Sequence, residues 1–149
     1  MTFPKSIFSL SATDTESAGR ELANGIMLDS SLPRFVALFG DLGVGKTAFA
    51  RGFTSVISPD ARVKSPTFSL VNHYKGQTTS VFHFDMYRIE NEDDLYSIGF
   101  FDYVDNGICL VEWSENIVES LPDRYVRVEL IKNDAENTDS RLISMTLVG

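Results

Sequence analysis

Two short apolar runs dominate the pattern of hydrophobic and polar positions along the chain. One covers Arg34 to Phe39 and ends before Gly40, and the other covers Ile108 to Trp113 and contains one acid, Glu112. A nearly continuous apolar run of this length, closed by a glycine or a polar residue, is typical of a strand buried on both faces. We therefore predict two central strands, each followed by residues that can carry function.

Apolar residues recur at helical spacing between Thr13 and Leu28, which predicts a helix that Ser11 or Thr13 can cap. A second helix, from Lys46 to about Ser55, is expected to follow the first apolar run. The further predicted helices are Glu90 to Ser97 and Glu115 to Leu121, which ends at Pro122.

The remaining strands are predicted in pairs. Thr67 to Tyr74 and Ser80 to Tyr87 form one pair around a turn at Lys75-Gly76, after a loop from Val56 to Ser65. The second pair alternates apolar and polar positions on either side of a polar loop and predicts a terminal antiparallel hairpin. Its segments are Tyr125 to Ile131, the loop Lys132 to Ser140, and Arg141 to Val148.

Buried strands mixed with helices predict an α/β fold, with a mostly parallel central sheet flanked by helices and extended by the C-terminal antiparallel hairpin. A chain of 149 residues is expected to form a single domain, residues 1–149. In a sheet of this kind, ligands bind at the carboxyl ends of the strands. Both strongly apolar runs end in candidate functional residues, at Gly40 and Glu112.

Composition and charge narrow the classes of function. The net charge of −8 makes strong unaided binding to nucleic acid a poor fit, because contacts to phosphates dominate that affinity. No run approaches 18 apolar residues and the first six lack the apolar core of a signal peptide, so we expect no membrane span and no secretion signal. The single cysteine fits a reducing compartment, and we expect a cytoplasmic protein that is monomeric when isolated.

The first apolar run leads into a phosphate-binding loop of the pattern G-x-x-x-x-G-K-[ST]. Its glycines allow backbone N–H groups to point inward and cradle phosphate oxygens, and the following helix adds the positive end of its dipole. The lysine reaches the β- and γ-phosphates, and the threonine hydroxyl ligates Mg²⁺. The motif predicts a P-loop NTPase fold with these nucleotide-binding residues: Gly40, Asp41, Leu42, Gly43, Val44, Gly45, Lys46 and Thr47.

A P-loop enzyme also needs an acidic residue at a neighbouring strand end, to hold Mg²⁺ or to orient water. Glu112 and Asp85 are the two candidates, although either could be a solvated carboxylate at a strand end. We assign Glu112 to metal coordination and Asp85 to the metal's surroundings or to positioning water, with Lys46 as the third catalytic residue. Thr67 can supply a hydroxyl to the γ-phosphate or the metal, and a simple turn before the strand is an equally good interpretation.

Four segments occur in order along the chain: Gly-Asp-Leu-Gly-Val-Gly-Lys-Thr, Val-Lys-Ser-Pro-Thr-Phe-Ser-Leu-Val, Phe-His-Phe-Asp-Met-Tyr-Arg and Cys-Leu-Val-Glu-Trp. Together they resemble the TsaE family, the bacterial ATPases of tRNA threonylcarbamoyladenosine biosynthesis. The P-loop alone is generic, whereas the ordered set is specific, and the similarity runs from about Thr15 to Pro122. Phe68 and Met86 depart from the residues common in the family.

The resemblance implies ATP and Mg²⁺ as ligands and the proteins TsaD and TsaB as partners, with tRNA met only indirectly. It implies a weak intrinsic ATPase that depends on those partners. It also implies phosphate and Mg²⁺ contacts at Lys46 and Thr47 and acidic roles for Asp85 and Glu112. Adenine contacts are placed in the region of Ser11 to Thr15, at Thr13 in particular, with Arg141 as a further candidate.

A small nucleotide or metabolite kinase is the alternative function, because such enzymes also use a P-loop. They usually bring several arginines from a lid to the transferred phosphoryl group, and the loop from Lys132 to Ser140 contains none. A GTPase is disfavoured because the guanine-reading pattern Asn-Lys-x-Asp is missing from the sequence. A nucleotide-gated binding module that rarely hydrolyses ATP stays open as a non-enzymatic alternative.

Overall fold

The two apolar runs become adjacent central strands of a seven-stranded sheet in the computed structural model, which describes residues 1–41 and 43–149. The strands, in chain order, are β1 (Lys5–Ser9), β2 (Phe35–Phe39), β3 (Val71–Lys75), β4 (Ser80–Asp85), β5 (Ile108–Glu112), β6 (Tyr125–Lys132) and β7 (Arg141–Val148). The helices are α1 (Ala12–Leu28), α2 (Lys46–Ile57), α3 (Glu92–Ser97), α4 (Phe100–Val104) and a 3-10 helix (Ser114–Ser120).

The sheet has the order β1-β7-β6-β2-β5-β4-β3. Its four central strands are parallel, since β2 pairs in parallel with both β5 and β6, and β5 pairs in parallel with β4. The outer pairs β1–β7, β6–β7 and β3–β4 are antiparallel. The predicted α/β class, the parallel centre and the C-terminal antiparallel hairpin are therefore confirmed.

Helices cover both faces of the sheet. On one face α1 and α2 pack against Val36, Leu38 and Leu110, and on the other face α3, α4 and the 3-10 helix cover Phe84 and Val111. Both faces of β2 and β5 are thus buried, which explains why these strands have no alternation in sequence. Among the described residues, no helix is both long and apolar enough to cross a lipid bilayer.

Close contact between α1 and α2 positions the segment that follows β2. A Cβ at Gly52 would lie 1.9 Å from the carbonyl oxygen of Glu16, and one at Gly19 would lie 2.2 Å from that of Phe49. Only glycine allows the two backbones to approach so closely. This packing sets the position of α2, whose first residue, Lys46, follows the segment after β2. Ser11 rather than Thr13 caps α1, by accepting a hydrogen bond from the N–H of Asp14 at 3.1 Å.

Several predicted boundaries differ from the structure. The strand expected from Thr67 begins only at Val71, because residues 67–70 form a turn in which the Leu70 N–H donates to the Pro66 carbonyl at 2.8 Å. Leu70 has φ 69°, a left-handed conformation that ends any extended run. β4 ends at Asp85 instead of Tyr87, since the N–H of Tyr87 turns back to the Asp85 carboxylate.

Three helical predictions also need correction, and two elements were missed. α3 begins at Glu92 because the Asn91 side chain caps it, and α2 continues to Ile57. The segment expected as a helix from Glu115 is a 3-10 helix interrupted by non-helical geometry at Ile117. β1 and α4 have no counterpart among the predictions. Both are five residues long, too short to establish a periodic pattern.

Candidate functional site

The P-loop joins the end of β2 to the start of α2, as the motif requires. Gly43 and Gly45 have φ values of 76° and 100°, a conformation that side chains with a Cβ rarely adopt. Gly45 is the N-cap of α2 and offers no side-chain bond to the first N–H groups of the helix. Those groups stay available to an anion. The prediction for Leu42 lies outside the described residues.

Lys46 is the first residue of α2, and its side chain lies between the P-loop and the acidic strand ends. It is 5% exposed, its Nζ donates to the Gly40 carbonyl at 2.5 Å, and the same atom lies 3.6 Å from the centroid of the Trp113 ring. Burial lowers the pKa of the ammonium group, and four carboxylates oppose that shift: those of Glu115, Glu112, Asp85 and Asp41. A buried cation with acidic neighbours is suited to neutralising phosphate charge.

Two charged side chains from distant parts of the chain contact the backbone of the P-loop. Glu115 accepts a hydrogen bond from the Gly40 N–H at 2.8 Å. Arg141 donates from Nε to the Val44 carbonyl and from Nη2 to the Gly43 carbonyl, both at 3.0 Å. The loop is therefore held by side chains at its first residue and near its middle.

The two candidate acids lie side by side at the carboxyl ends of adjacent parallel strands. Asp85 and Glu112 are register partners on β4 and β5, and they are 5% and 4% exposed. Both point to the face that α2 covers, because they alternate with Phe84 and Val111, which pack on the opposite face. Neither acid is the solvated strand-end carboxylate that the sequence left open.

A buried histidine supports Glu112. The Nε2 atom of His83 lies 2.5 Å from the Glu112 carboxylate, and the His83 side chain is fully buried. Among the described residues the Nδ1 atom of His83 has no hydrogen-bond partner. A neutral ring with its proton on Nε2 leaves Nδ1 as an acceptor instead of a buried donor, so this tautomer fits the contacts best.

Asp85 is bonded to the loop that follows β4 and to the turn before β3. Its Oδ1 accepts from the Tyr87 N–H at 3.0 Å, and the Thr67 hydroxyl lies 3.4 Å from its Oδ2. Thr67 in turn lies 2.7 Å from the Ser65 hydroxyl. The turn that replaced the predicted start of β3 thus brings hydroxyl groups to the acid.

These groups line one cavity of about 330 Å³, between the P-loop and the ends of β4 and β5. Its lining residues are Gly43, Gly45, Lys46, Thr47, Ser65, Thr67, Asp85, Glu112 and Trp113. Hydroxyl and carboxylate oxygens are the ligands that Mg²⁺ prefers, and the ion usually takes one or two carboxylates together with phosphate oxygens. Within residues 1–41 and 43–149 no cluster of three or more His, Cys, Asp or Glu could hold a metal ion by itself.

Most of the predicted site residues that the structure describes line this cavity, and three others line a neighbouring one. Gly40, Asp41 and Val44 line a neighbouring cavity of about 610 Å³ together with Glu115 and residues 129–132. Thr13 is exposed in the first turn of α1, and the residues that line the two cavities are others. Nucleotide contacts by any of these residues stay predictions.

Sequence reasoning missed the contacts of His83, Glu115 and Arg141. His83 alternates with Asp85 on β4, so period-two spacing could have placed its side chain on the face of the acids. No local signal leads to Arg141, which lies 97 and 98 positions from the carbonyls that it contacts. Its proximity depends on long-range strand pairing, in which β6 pairs with β2 and β7 pairs with β6.

Comparison with known proteins points to one family. A model of the family described as "Threonylcarbamoyl adenosine biosynthesis protein TsaE" matches residues 9–143. The tRNA threonylcarbamoyladenosine biosynthesis protein TsaE of Haemophilus influenzae is 40% identical over 116 residues, which are 76% of this chain and 72% of that protein. The protein of the same name from Bacillus subtilis is 37% identical over 115 residues, 76% of this chain and 70% of that one.

A solved structure shows the same fold over the whole chain. The crystal structure of YdiB from Bacillus subtilis superposes with a TM-score of 0.71 and 27% identity, and covers 100% of this chain and 90% of that one. The TsaE protein of Rickettsia conorii is 31% identical over 134 residues, 89% of this chain and 74% of that protein.

Proposed function

The chain belongs to the TsaE family of threonylcarbamoyl adenosine biosynthesis proteins, and we propose that it is a Mg²⁺-dependent ATPase that supports threonylcarbamoylation of adenosine in tRNA together with TsaB and TsaD. One observation carries the proposal. The P-loop lysine, the P-loop threonine and two buried strand-end carboxylates line a single cavity. A phosphate cradle with acids on its opposite wall is the arrangement that P-loop hydrolases use.

Each group has a role that follows from its chemistry. The Lys46 ammonium is expected to leave the Gly40 carbonyl and pair with the β- and γ-phosphates. The Thr47 hydroxyl and the carboxylates of Glu112 and Asp85 would hold Mg²⁺, which neutralises phosphate charge when bound. Of the two acids, Glu112 has the firmer support from a neighbouring side chain, and it is the better candidate to coordinate the metal and share in orienting the attacking water.

Exposed aromatic side chains around the cavity support a protein partner. Phe68 is 91% exposed and directly follows Thr67, and Tyr87 is 51% exposed with its ring 5.0 Å from that of Trp113. Aromatic residues are enriched in protein interfaces. A partner that covers this rim would exclude water from the cavity, which fits a weak ATPase that needs TsaB and TsaD. The net charge of −8 disfavours direct contact with tRNA, so that contact would be indirect. The protein would act in the cytoplasm.

The test is a reconstituted tRNA modification assay with TsaB, TsaD, ATP and the threonylcarbamoyl donor, run with the wild-type chain, with Lys46→Ala and without the chain. Wild-type protein should raise modification, and Lys46→Ala should leave it near the level without the chain. A Lys75→Ala variant, which removes an exposed lysine on β3, should behave like wild type. Modification that is independent of the chain, or equal with Lys46→Ala, would refute the proposed role.

A further inference from the structure

Arg141, the first residue of β7, donates hydrogen bonds to four backbone carbonyl oxygens. Its Nε and Nη2 atoms bond to the carbonyls of Val44 and Gly43, each at 3.0 Å. Its Nη1 atom bonds to the carbonyl of Ser140 at 3.0 Å and to that of Thr138. One guanidinium group therefore ties the P-loop to the loop between β6 and β7.

The bonds to Gly43 and Val44 set the orientation of two peptide planes in the P-loop. The carbonyl and N–H of a trans peptide point in opposite directions. The Gly43 carbonyl shares its peptide with the N–H of Val44, and the Val44 carbonyl shares its peptide with the N–H of Gly45. Because Arg141 holds both carbonyls, both N–H groups point away from Arg141.

The side away from Arg141 is the side on which phosphate is expected. Gly43 and Gly45 line the cavity of about 330 Å³ with Lys46 and Thr47, whereas Arg141 is not among the residues that line it. The guanidinium contacts the loop at carbonyl oxygens and does not line this cavity, so the two N–H groups, which point away from it, are expected to face the cavity. This is the orientation that a phosphate cradle needs.

The loop needs such a restraint because its own residues restrict the orientation of these two peptide planes very little. Gly43 and Gly45 flank the two peptides, and glycine populates many backbone conformations with similar ease. Peptide planes between glycines can turn over at low cost, which would point carbonyl oxygens at the phosphates. Two hydrogen bonds from a rigid, planar and permanently charged group favour the competent orientation before ligand arrives.

We propose that Arg141 is a positioning residue that preorganises the P-loop for phosphate by holding the Gly43 and Val44 carbonyls on the outer side of the loop. The proposal rests on the proposed function, since it needs nucleotide phosphates in the cradle. It assigns Arg141 no contact with the nucleotide, and so differs from a role in binding the adenine base.

Calorimetry with two probes tests the proposal: Mg-ATP and inorganic tripolyphosphate with Mg²⁺, which has the phosphates without the base. Arg141→Ala should weaken both probes by roughly tenfold, the scale of one lost hydrogen bond to a charged group. Arg141→Lys keeps the charge but lacks the planar fork, so it should lose most of the same affinity. In turnover assays KM should rise more than kcat falls.

Arg34→Ala is the matched control. Arg34 is also a partly buried arginine that donates to a backbone carbonyl, that of Ile26 at 3.0 Å, but it precedes β2 and so lies at the opposite end of that strand from the P-loop. Its loss should lower the melting temperature without changing the affinity for either probe. If Arg141→Ala does not fold, Arg141→Lys carries the test with the same probes.

Each outcome decides the proposal. If Arg141→Ala weakens the binding of Mg-ATP but leaves the binding of tripolyphosphate unchanged, Arg141 binds the base. If Arg141→Lys binds both probes as tightly as wild type, charge alone matters. Either result overturns the positioning role while leaving nucleotide binding intact, as would affinities within twofold of wild type in every variant. Absence of binding by the wild-type protein would instead overturn the proposed function, and this inference with it.

Discussion

The two halves of the site are built by different means. In the acid half, defined as Asp85, Glu112 and His83, buried side chains are held by the register of β4 and β5 and by one buried hydrogen bond. In the phosphate half, defined as the described residues of 40–47 with Arg141, the groups proposed to bind phosphate are backbone N–H groups of a glycine-rich loop, which the side chains of Glu115 and Arg141 contact. The sheet determines the geometry of the first half, and long-range side-chain contacts determine that of the second.

This difference predicts which substitutions lower the stability of the protein and which lower its affinity for ligand. The three side chains of the acid half are between 0% and 5% exposed, so they can move little without opening the core. The Lys46 side chain of the phosphate half is buried, and its ammonium group donates to the Gly40 carbonyl, a partner that a phosphate of ATP would replace. Variants of the phosphate half should therefore lose ligand binding with little loss of stability, whereas variants of the acid half should lose turnover or stability more than ATP affinity.

The largest expected effect comes from Lys46→Ala in the phosphate half. Removal of a cation on the transferred phosphoryl group should lower ATP turnover by roughly 10³-fold, comparable to loss of an arginine finger. The melting temperature should stay near that of wild type or rise, because burial already disfavours the charged form of this lysine. Steady-state kinetics and thermal melts measure the two quantities, with Lys75→Ala as the control. An unfolded Lys46→Ala variant would contradict the expectation that a change in the phosphate half costs little stability.

In the acid half, Glu112→Gln should lower turnover by roughly 10²-fold, the usual scale for a group that positions or activates water. Affinity for ATP should change much less, since contacts that strengthen in the transition state affect kcat selectively. Asp85→Asn should act in the same direction and less severely. Glu119→Gln, on the exposed side of the 3-10 helix, is the control for loss of one negative charge. Equal losses in affinity and kcat would contradict these roles.

A smaller effect, on stability, is expected for His83→Ala. The substitution leaves the buried Glu112 carboxylate without its partner, which should lower the free energy of unfolding by about 1–3 kcal/mol. The exposed His73 bonds to Ser80 at 2.9 Å, so His73→Ala is a control for loss of a histidine hydrogen bond at the surface. Urea denaturation measures both. If the two variants are equally stable, the acid half is not the rigid part of the site.

The smallest expected effect is optical. Trp113 is the only tryptophan, and the Lys46 ammonium lies over its ring. When Mg-ATP draws the ammonium away, the emission of Trp113 should change in intensity or wavelength, because the cation no longer lies against the indole. Titration of wild type with Mg-ATP measures the change, and Lys46→Ala should show a smaller one. An emission spectrum that is unaffected by saturating nucleotide would mean that Lys46 does not move.

The elements that were predicted correctly have local sequence signals, and those that were missed depend on contacts with distant parts of the chain. The buried strands β2 and β5 and the P-loop were predicted because continuous apolar runs and a glycine motif are local signals. β1 was missed because it acquires its structure by pairing with β7, more than 130 positions later in the sequence. Residues 67–70 were predicted as strand, whereas Leu70 has a left-handed conformation and its carbonyl accepts from the Asp85 N–H at 3.1 Å, a contact that the local sequence does not reveal.

The sequence also predicted part of the candidate site, and the rest depended on the fold. Lys46 and Thr47 were predicted from the P-loop motif and Asp85 and Glu112 from strand ends, and the structure brings all four to one cavity. The pairing of His83 with Glu112 needed the register of two strands whose residues are 29 positions apart. The contacts of Arg141 with the P-loop depend on where the C-terminal hairpin lies relative to that loop, and the alternation of apolar residues does not reveal this.

A calorimetric titration of ATP into wild-type protein, with and without Mg²⁺, tests whether the two halves form one Mg-ATP site. We expect one binding site per chain and clearly tighter binding with Mg²⁺, because the acid half contributes only through the ion. Absence of ATP binding, or binding with the same affinity in the presence and absence of Mg²⁺, would contradict this expectation.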